Sequence, residues 1–142
     1  MCIRDRGTLY AESKIDILQA GTFIAALHDG TANEQIRIIQ NTNTISCQVI
    51  HGGAAEANLL TQNGAVAGTI YKSALAYQSN DAAGVTNNGT VQTDGTVVLP
   101  SASTTLAIGM DAAANQQTGV YIRKVAYYPV RMVNESAKAL TV

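Results

Sequence analysis

The chain has 142 residues, with nine basic and ten acidic side chains and a formal net charge of −1. Only 13% of its residues are charged, against about 25% in an average soluble domain. A nearly neutral balance without a basic stripe excludes a nucleic-acid-binding domain, and no apolar run approaches the ~18 residues of a membrane span. The length suits one domain with a real core, so we expect neither nucleic acid nor membrane as a partner.

The first six residues, MCIRDR, fit no pattern that follows them. They are also the translation of one reading frame of a common transposon-end sequencing adapter. We therefore interpret residues 1–6 as a sequencing scar and residues 7–142 as one domain whose native chain continues upstream. The alternative is an ordinary charged N-terminus. Without these six residues, seven basic and nine acidic side chains remain, the net charge is −2, and Cys47 has no cysteine partner.

Turn-forming dipeptides punctuate the chain at regular intervals. They are Asp29-Gly30, Gly52-Gly53, Asn63-Gly64, Asn88-Gly89 and Asp94-Gly95, and residues of these types tolerate the positive φ of tight hairpins. Short alternating segments between them predict strands at 8–12, 22–28, 35–40, 44–51, 55–60, 69–78, 84–87, 105–109 and 119–128. Many short strands without a long helical period indicate an all-β sandwich or barrel. One short helix is predicted at 134–140, with Asn134 as its N-cap.

The last predicted strand breaks its own alternation. Val120 and Ile122 share one face, and the next apolar residues on that face are Val125 and Tyr127. One extra residue at Arg123-Lys124 would keep all four facing inward, which predicts a β-bulge. Pro129 should end the strand because it cannot donate to a ladder. After it, the side chains of Val130, Met132 and Leu140 are expected to pack the terminal segment against the sheet.

These segments carry a family resemblance that covers nearly all of residues 7–142. The ending TGVYIRKVAYYPVRM (118–132) with NESAKALT (134–141) resembles the C-terminal concanavalin A-like, or laminin-G-like, jelly-roll domain of bacteriophage tail-fibre and other virion proteins. GTLYAE (7–12), ALHDGTANEQIRI (26–38) and YKSALAYQSND (71–81) are similar to earlier strands of that domain. The final helix departs from the family pattern, since VNESAKALTV lacks the usual acidic-Leu pair. The resemblance implies a jelly-roll β-sandwich of two antiparallel sheets with a short C-terminal helical turn.

No catalytic pattern is visible. Glucanases of this fold resemble one another in a Glu-x-Asp-x-x-Glu strand, and that spacing is absent here. No Gly-x-Ser-x-Gly elbow accompanies His28 or His51, and both histidines are predicted to flank turns. Cys47 alternates with Ile45 and Val49, which predicts a buried apolar side chain and not a reactive thiol or zinc ligand. We therefore predict that the protein is not an enzyme.

Two kinds of binding site remain as candidates. The resemblance implies that one Ca²⁺ is often held at the sandwich rim, and Asp29, Asp81, Asp94 and Asp111 fall in predicted loops where they could either bind calcium or shape turns. No other cofactor is expected. Glycan binding uses aromatic platforms, and there is no Trp. Tyr71, Tyr77 and Tyr127 are predicted to be core residues. Tyr128, on the opposite face, is the candidate for glycan stacking, with half-burial at the sandwich edge as the alternative.

Three functions compete at this point. The first is a non-catalytic virion domain, of a phage tail fibre or similar, whose partners are host cell-surface polysaccharide, other virion proteins and copies of itself joined through upstream sequence. The second is an extracellular bacterial lectin or adhesin module. The third is a glucanase-like hydrolase, which the missing carboxylate pattern disfavours. The resemblance favours the first, with a location on the virion or outside the cell, while composition and alternation alone support a β-sandwich without evident catalysis.

Overall fold

The computed structural model of the protein describes residues 5–115 and 119–142. Two five-stranded antiparallel sheets pack face to face, and one six-residue helix follows the last strand. No helix of the described ranges has the length and hydropathy to cross a bilayer. The elements are β1 (Arg6–Ile15), β2 (Thr22–His28), β3 (Gln35–Asn41), β4 (Thr44–His51), β5 (Ala54–Asn63), β6 (Thr69–Gln78), β7 (Asp81–Thr86), β8 (Gln92–Asp94), β9 (Thr105–Ile108), β10 (Val120–Tyr128) and α1 (Asn134–Ala139).

The first sheet has the strand order β10-β1-β6-β7-β8, and the second has β5-β4-β3-β2-β9. This is the predicted all-β architecture of two antiparallel sheets with a short C-terminal helix. Strand β1 begins at Arg6, within the six residues excluded above, because its backbone pairs with Gln78 of β6. Residues 1–4, which hold the rest of that segment including Cys2, lie outside the described residues.

The core lies between the two sheets, where alternate side chains of each strand meet. Fully buried examples include Leu9 and Leu75 from the first sheet and Ile36 and Ile38 from the second. Each such side chain contributes about 1.5–3 kcal/mol relative to an exposed one. Tyr71 and Tyr77 are buried, and Tyr127 packs against the same cluster, as predicted.

The predicted bulge in β10 is present. Glu12 of β1 pairs with Lys124 and Ser13 pairs with Ile122, so Arg123 has no partner across the ladder. Ile122 and Val125 therefore both pack against the core, while both cations are exposed. The strand ends at Tyr128, immediately before Pro129.

A second bulge, in β2, was not predicted. Alternation predicted that Phe23 shares a face with Ala25 and Leu27, but the register with β3 shifts between Phe23 and Ala25. Ile24, Ala25 and Leu27 consequently belong to the core, whereas Phe23 pairs with Ile39 on the outer face of the second sheet. The extra residue reverses the direction of Phe23.

The C-terminal segment covers part of the outer face of the first sheet. Ala137 is buried in a small second cluster with Tyr10, and Met132 and Leu140 pack against it, as predicted for the latter two. The prediction for Val130 is wrong, because its side chain is 49% exposed. Its carbonyl instead accepts a hydrogen bond from Thr8 Oγ1 at 2.8 Å.

The start of α1 also differs from the prediction. Val133 occupies the N-cap position and supplies no side-chain cap. Asn134 is the first helical residue, and its Oδ1 is buried without a hydrogen-bond partner in the described part of the chain. The helix is held by the packing of Ala137. An ion pair between Arg131 and Asp81 (2.6 Å) also ties the segment before the helix to β7.

Candidate functional site

A row of polar side chains crosses the outer face of the second sheet. Arg37 of β3 donates from Nη1 to Gln35 Oε1 and from Nε to Gln48 Oε1, each at 2.8 Å. Gln48 in turn donates from Nε2 to Asn58 Oδ1 at 2.9 Å. Gln35, Arg37, Gln48 and Asn58 form what we call the Arg37 ladder. It fixes the guanidinium in one orientation by two hydrogen bonds, which leaves Nη2 without a partner among the described residues.

The Arg37 guanidinium lies over the ring of Phe23, with its Cζ 5.1 Å from the ring centroid. This distance is that of a cation–π contact. Burial lowers the pKa of Arg37, but a guanidinium stays protonated at any physiological pH. The result is a permanent, partly desolvated cation fixed on an aromatic face, and its electrostatic interactions are stronger than those of an arginine in bulk water.

Arg37 and Phe23 line a cavity of about 210 Å³, which we call the Arg37 pocket. Its other walls come from two loops, at Gly30 and Ala32 after β2 and at Asp111 to Ala113 after β9. The pocket therefore joins a cation, an aromatic ring, a carboxylate and backbone amides. Such a combination suits a ligand that has both an anionic group and hydroxyls.

Each of the two loops is stabilised by its own aspartate. Asp29 Oδ1 accepts hydrogen bonds from the backbone N–H of Thr31 at 2.8 Å and from its hydroxyl at 2.7 Å. Asp111 accepts from the backbone N–H groups of Ala113 and Asn115, both at 2.9 Å. Hydrogen bonding, first from the Asn115 side chain, lowers the pKa of Asp111, so this carboxylate is ionised at neutral pH. Turn geometry accounts for both aspartates.

Glu34 connects the first of these loops to its surroundings. It accepts hydrogen bonds from the backbone N–H of Gly52 (2.9 Å) and of Ser101 (2.8 Å), and its Oε2 lies 3.1 Å from His51 Nδ1. These contacts, that from Gly52 first, lower the pKa of Glu34 to about 2. This carboxylate therefore ties the loop after β2, which supplies Gly30 and Ala32 to the Arg37 pocket, to the turn after β4 and to Ser101.

The structure does not bring the four predicted calcium ligands together. Asp81 begins β7 and pairs with Arg131, and Asp94 ends β8 and accepts from Thr96. Both residues therefore lie at the ends of strands, whereas loop positions were predicted for them. Within the described ranges, no group of three or more His, Cys, Asp or Glu side chains could hold a metal ion. Calcium binding at any of the four aspartates stays a prediction.

The other predicted residues are not among those that line the Arg37 pocket, although His28 contacts the lining residue Gly30. Tyr128 is half-buried and packs against the second cluster beneath the C-terminal segment, so its role in stacking on a glycan stays a prediction. Cys47 is fully buried as predicted, and burial raises the pKa of its thiol to about 12. His28 and His51 both flank turns: the Nδ1 of His28 accepts a hydrogen bond from the backbone N–H of Gly30.

Arg37 and Phe23 were not predicted as site residues from the sequence. Alternation along 35–40 indicates that Arg37 lies on the face opposite Ile36 and Ile38, but an arginine on an outer strand face is usually just solvated. Gln35 lies two residues before Arg37 on the same strand, but only the strand register shows that Gln48 lies directly across from it. Phe23 could not be assigned to this face without knowledge of the β2 bulge.

No protein-family model matches the chain, and no curated protein sequence matches it either. Solved structures do match. The CBM40 domain of the Ruminococcus gnavus IT-sialidase, bound to α2,3-sialyllactose, superposes with a TM-score of 0.78 at 12% identity, over 98% of this chain and 84% of that one. A SAP-like pentraxin from Limulus polyphemus gives 0.70 at 11% identity, over 98% and 70%. Domains LG4-5 of the mouse laminin α1 chain give 0.68 at 9% identity, over 95% and 38%.

These likenesses identify the fold. The chain is an all-β jelly-roll sandwich of the kind found in CBM40, laminin-G-like and pentraxin domains, as its resemblance to concanavalin A-like domains predicted. At identities this low the likeness extends to the fold alone, and function has to be argued from the site.

Proposed function

We propose that this domain binds a glycan in the Arg37 pocket and does not transform it. The observation that carries the proposal is the fixed Arg37 guanidinium over the Phe23 ring, in a cavity of about 210 Å³. An arginine carries a permanent positive charge and five N–H donors. Here the two partners are neutral glutamines, so the positive charge has no compensating ion pair within the described residues.

An acidic sugar fits this chemistry. A carboxylate accepts charge-assisted hydrogen bonds from a guanidinium, which are stronger than neutral ones. The Asp111 carboxylate on the opposite wall can accept hydrogen bonds from sugar hydroxyls, and Phe23 offers an apolar surface to the sugar ring. Sialyllactose, the ligand in the CBM40 structures, has both a carboxylate and hydroxyls, which makes it the first probe to use.

The test is a titration of the full chain with α2,3- and α2,6-sialyllactose, with lactose as the neutral control. The expected result is binding of a sialylated sugar and none of lactose. Arg37→Gln should weaken binding at least about tenfold, because a hydrogen bond to a charged group contributes ~1.5–3 kcal/mol. Arg37→Lys keeps the charge but loses the planar fork, so it should restore only part of the affinity.

Arg6→Gln is the matched control, since it removes one exposed arginine whose side chain pairs with Asp5, away from the Arg37 pocket. It should bind as the unchanged chain does. Equal binding of lactose and sialyllactose would contradict recognition of an acidic group. Unchanged affinity in a folded Arg37→Gln variant would contradict the location of the site.

We further propose that residues 7–142 form the outward-facing domain of a phage tail fibre or similar virion protein that contacts host surface polysaccharide. The support is the resemblance of segment 118–132 and its companions to such domains, together with the absence of a catalytic carboxylate pattern in the sequence. A shallow site binds weakly, so attachment would depend on several copies acting together. Copies would be joined through upstream sequence.

The experiment is to present the folded domain multivalently to a panel of bacterial cells and purified surface polysaccharides, first with calcium and then with a chelator. Selective binding supports a receptor-binding role. Loss of binding on chelation would support a calcium ion at Asp29 or Asp111. A folded sample that binds no surface would contradict the receptor-binding role and favour a structural domain of the particle.

A further inference from the structure

A larger cavity lies on the opposite side of the molecule, on the outer face of the first sheet beside the C-terminal segment. Its volume is about 600 Å³. Its charged lining residues are Glu12 of β1, Lys72 of β6 and Arg123 of β10. The other walls come from Ile70, from Asn87 and Asn88 after β7, and from Thr141 and Val142. We call it the bulge cavity, because Arg123 is the unpaired residue of the β10 bulge.

Positive charge exceeds negative charge around Glu12. The strand register places Lys72 directly across from Glu12 on one side and Lys124 on the other. Arg123 Nη1 also pairs with Glu12 Oε1 at 3.0 Å. Among these four side chains there are three cations and one carboxylate. Lys124 leans over the ring of Tyr10, 5.7 Å from its centroid, and adds to the positive field next to the cavity.

The bulge causes this excess. In a regular strand, Arg123 and Lys124 would point to opposite faces, and one of them would enter the core. The extra residue allows both to stay on the outer face while Ile122 and Val125 remain inside. A bulge next to a cavity is a common way to redirect side chains at a functional site.

The donors of the cavity are positioned in advance and are only partly used. The backbone N–H of Lys72 donates to Asn87 Oδ1 at 2.7 Å, which fixes the end of the strand. Its Nζ donates to the oxygen of Val142, itself a lining residue, at 2.5 Å, so an anion would share this ammonium with Val142. Arg123 has a side chain that is 52% exposed, and only its Nη1 is paired. The Asn88 amide makes no side-chain hydrogen bond to the described residues.

We propose that the bulge cavity is an anion-binding site for a carboxylate or phosphate group carried by a sugar. Lys72 and Arg123 contact the anionic oxygens, the Asn88 amide is the neutral donor beside them, and Ile70 contacts the sugar ring. Glu12 orients Arg123 and is a positioning residue. This site is on the other sheet from the Arg37 pocket and does not depend on glycan binding there.

The probes are three sugars with the same ring: D-glucuronate, D-glucose 6-phosphate and D-glucose. Each is titrated into the full chain at low salt, and amide chemical shifts of residues 12, 72, 88 and 123 are followed by NMR. We expect dissociation constants on the order of 1 mM for an anionic sugar. Binding of glucuronate alone assigns a carboxylate ligand, and binding of the phosphate alone assigns a phosphate. Binding of both assigns an oxyanion in general, and glucose should shift none of these amides.

Lys72→Gln and Arg123→Gln should each weaken anion binding about tenfold, as expected for loss of a charge-assisted hydrogen bond. Arg6→Gln, which removes a cation at the far end of β1, should leave it unchanged. Equal shifts with glucose, no shifts with either anion, or unchanged affinity in a folded Arg123→Gln variant would each overturn the proposal. Arg37→Gln separates the two sites, because it should weaken binding in the Arg37 pocket at least about tenfold and leave the bulge cavity unaffected.

Discussion

Phe23 and Arg37 form a pair across the outer face of the second sheet, with the guanidinium carbon 5.1 Å from the ring centroid. They are neighbours only because the β2 bulge turns Phe23 away from the core. The ring supports the cation from one side while Gln35 and Gln48 hold it by hydrogen bonds. The fixed guanidinium over this ring is therefore the main feature of the candidate glycan site, and the loop residues complete its walls.

Replacing Phe23 tests how much its ring contributes to glycan binding in that site. Phe23→Leu keeps an apolar side chain but removes the cation–π contact, which contributes about 0.5–1 kcal/mol at a partly exposed site. We expect sialyllactose affinity to fall about two- to fivefold by this loss, with a smaller change in stability. Calorimetric titration and urea unfolding measure the two quantities. Unchanged affinity would show that the ring does not contribute to recognition.

Replacing Asp81 tests the tie between the C-terminal segment and β7. Arg131 has a side chain that is only 10% exposed and is paired with Asp81. Asp81→Asn leaves that cation without its counter-charge, so the free energy of unfolding should fall by ~1–3 kcal/mol. Urea unfolding measures the change.

The double variant Asp81→Asn with Arg131→Met is the control for that prediction. It removes both charges, so its loss should be smaller than the sum of the two single losses. If Asp81→Asn unfolds at the same urea concentration as the unchanged chain, the ion pair does not stabilise the fold.

Glu34 should make stability depend on acid pH. Its pKa falls from 4.5 to about 2 on folding, so its contribution is fully present above pH 4.5 and is lost as the pH falls towards 2. Glu34→Gln should be less stable than the unchanged chain at pH 6, and the difference should shrink between pH 4.5 and pH 2. Thermal unfolding across this range measures it. Glu56→Gln, at a residue without a hydrogen bond in the described part, is the control and should show no such convergence.

Cys47 should be unreactive in the folded protein. Its side chain is fully buried, and burial raises the pKa of the thiol to about 12, so almost no thiolate exists at pH 8. Iodoacetamide followed by peptide mapping should find Cys47 unlabelled in native buffer and labelled in denaturant. Labelling under native conditions would contradict the burial.

The fold was predictable from the sequence because its signals are local. Alternation located β2, β4 and β6 at their observed ends, since Gly and Asn residues bound them. The bulge at Arg123 was also predictable, because an apolar face had to be kept continuous across two cations. Strand β8 was missed: Gln92–Asp94 is three residues long and carries no apolar alternation.

The candidate site was not predictable in the same way. Arg37, Gln48 and Phe23 are separated in sequence and meet only through the strand register and the β2 bulge. Because β2 is apolar on both faces, alternation along it does not reveal where the bulge lies. The aspartates that stood out in the sequence have turn-forming roles at Asp29, Asp94 and Asp111. Residue type identified the turns, whereas recognition chemistry depends on long-range pairing.

The central claim is that the domain binds an acidic glycan at the Arg37 pocket. Its most direct test is an NMR titration of the ¹⁵N-labelled full chain with α2,3-sialyllactose. Shifts should be concentrated at Phe23, Gly30, Arg37 and residues 111–113, and Arg37→Gln should need at least about ten times more sugar to produce them. Shifts confined to the bulge cavity, or none at saturating sugar, would contradict the claim.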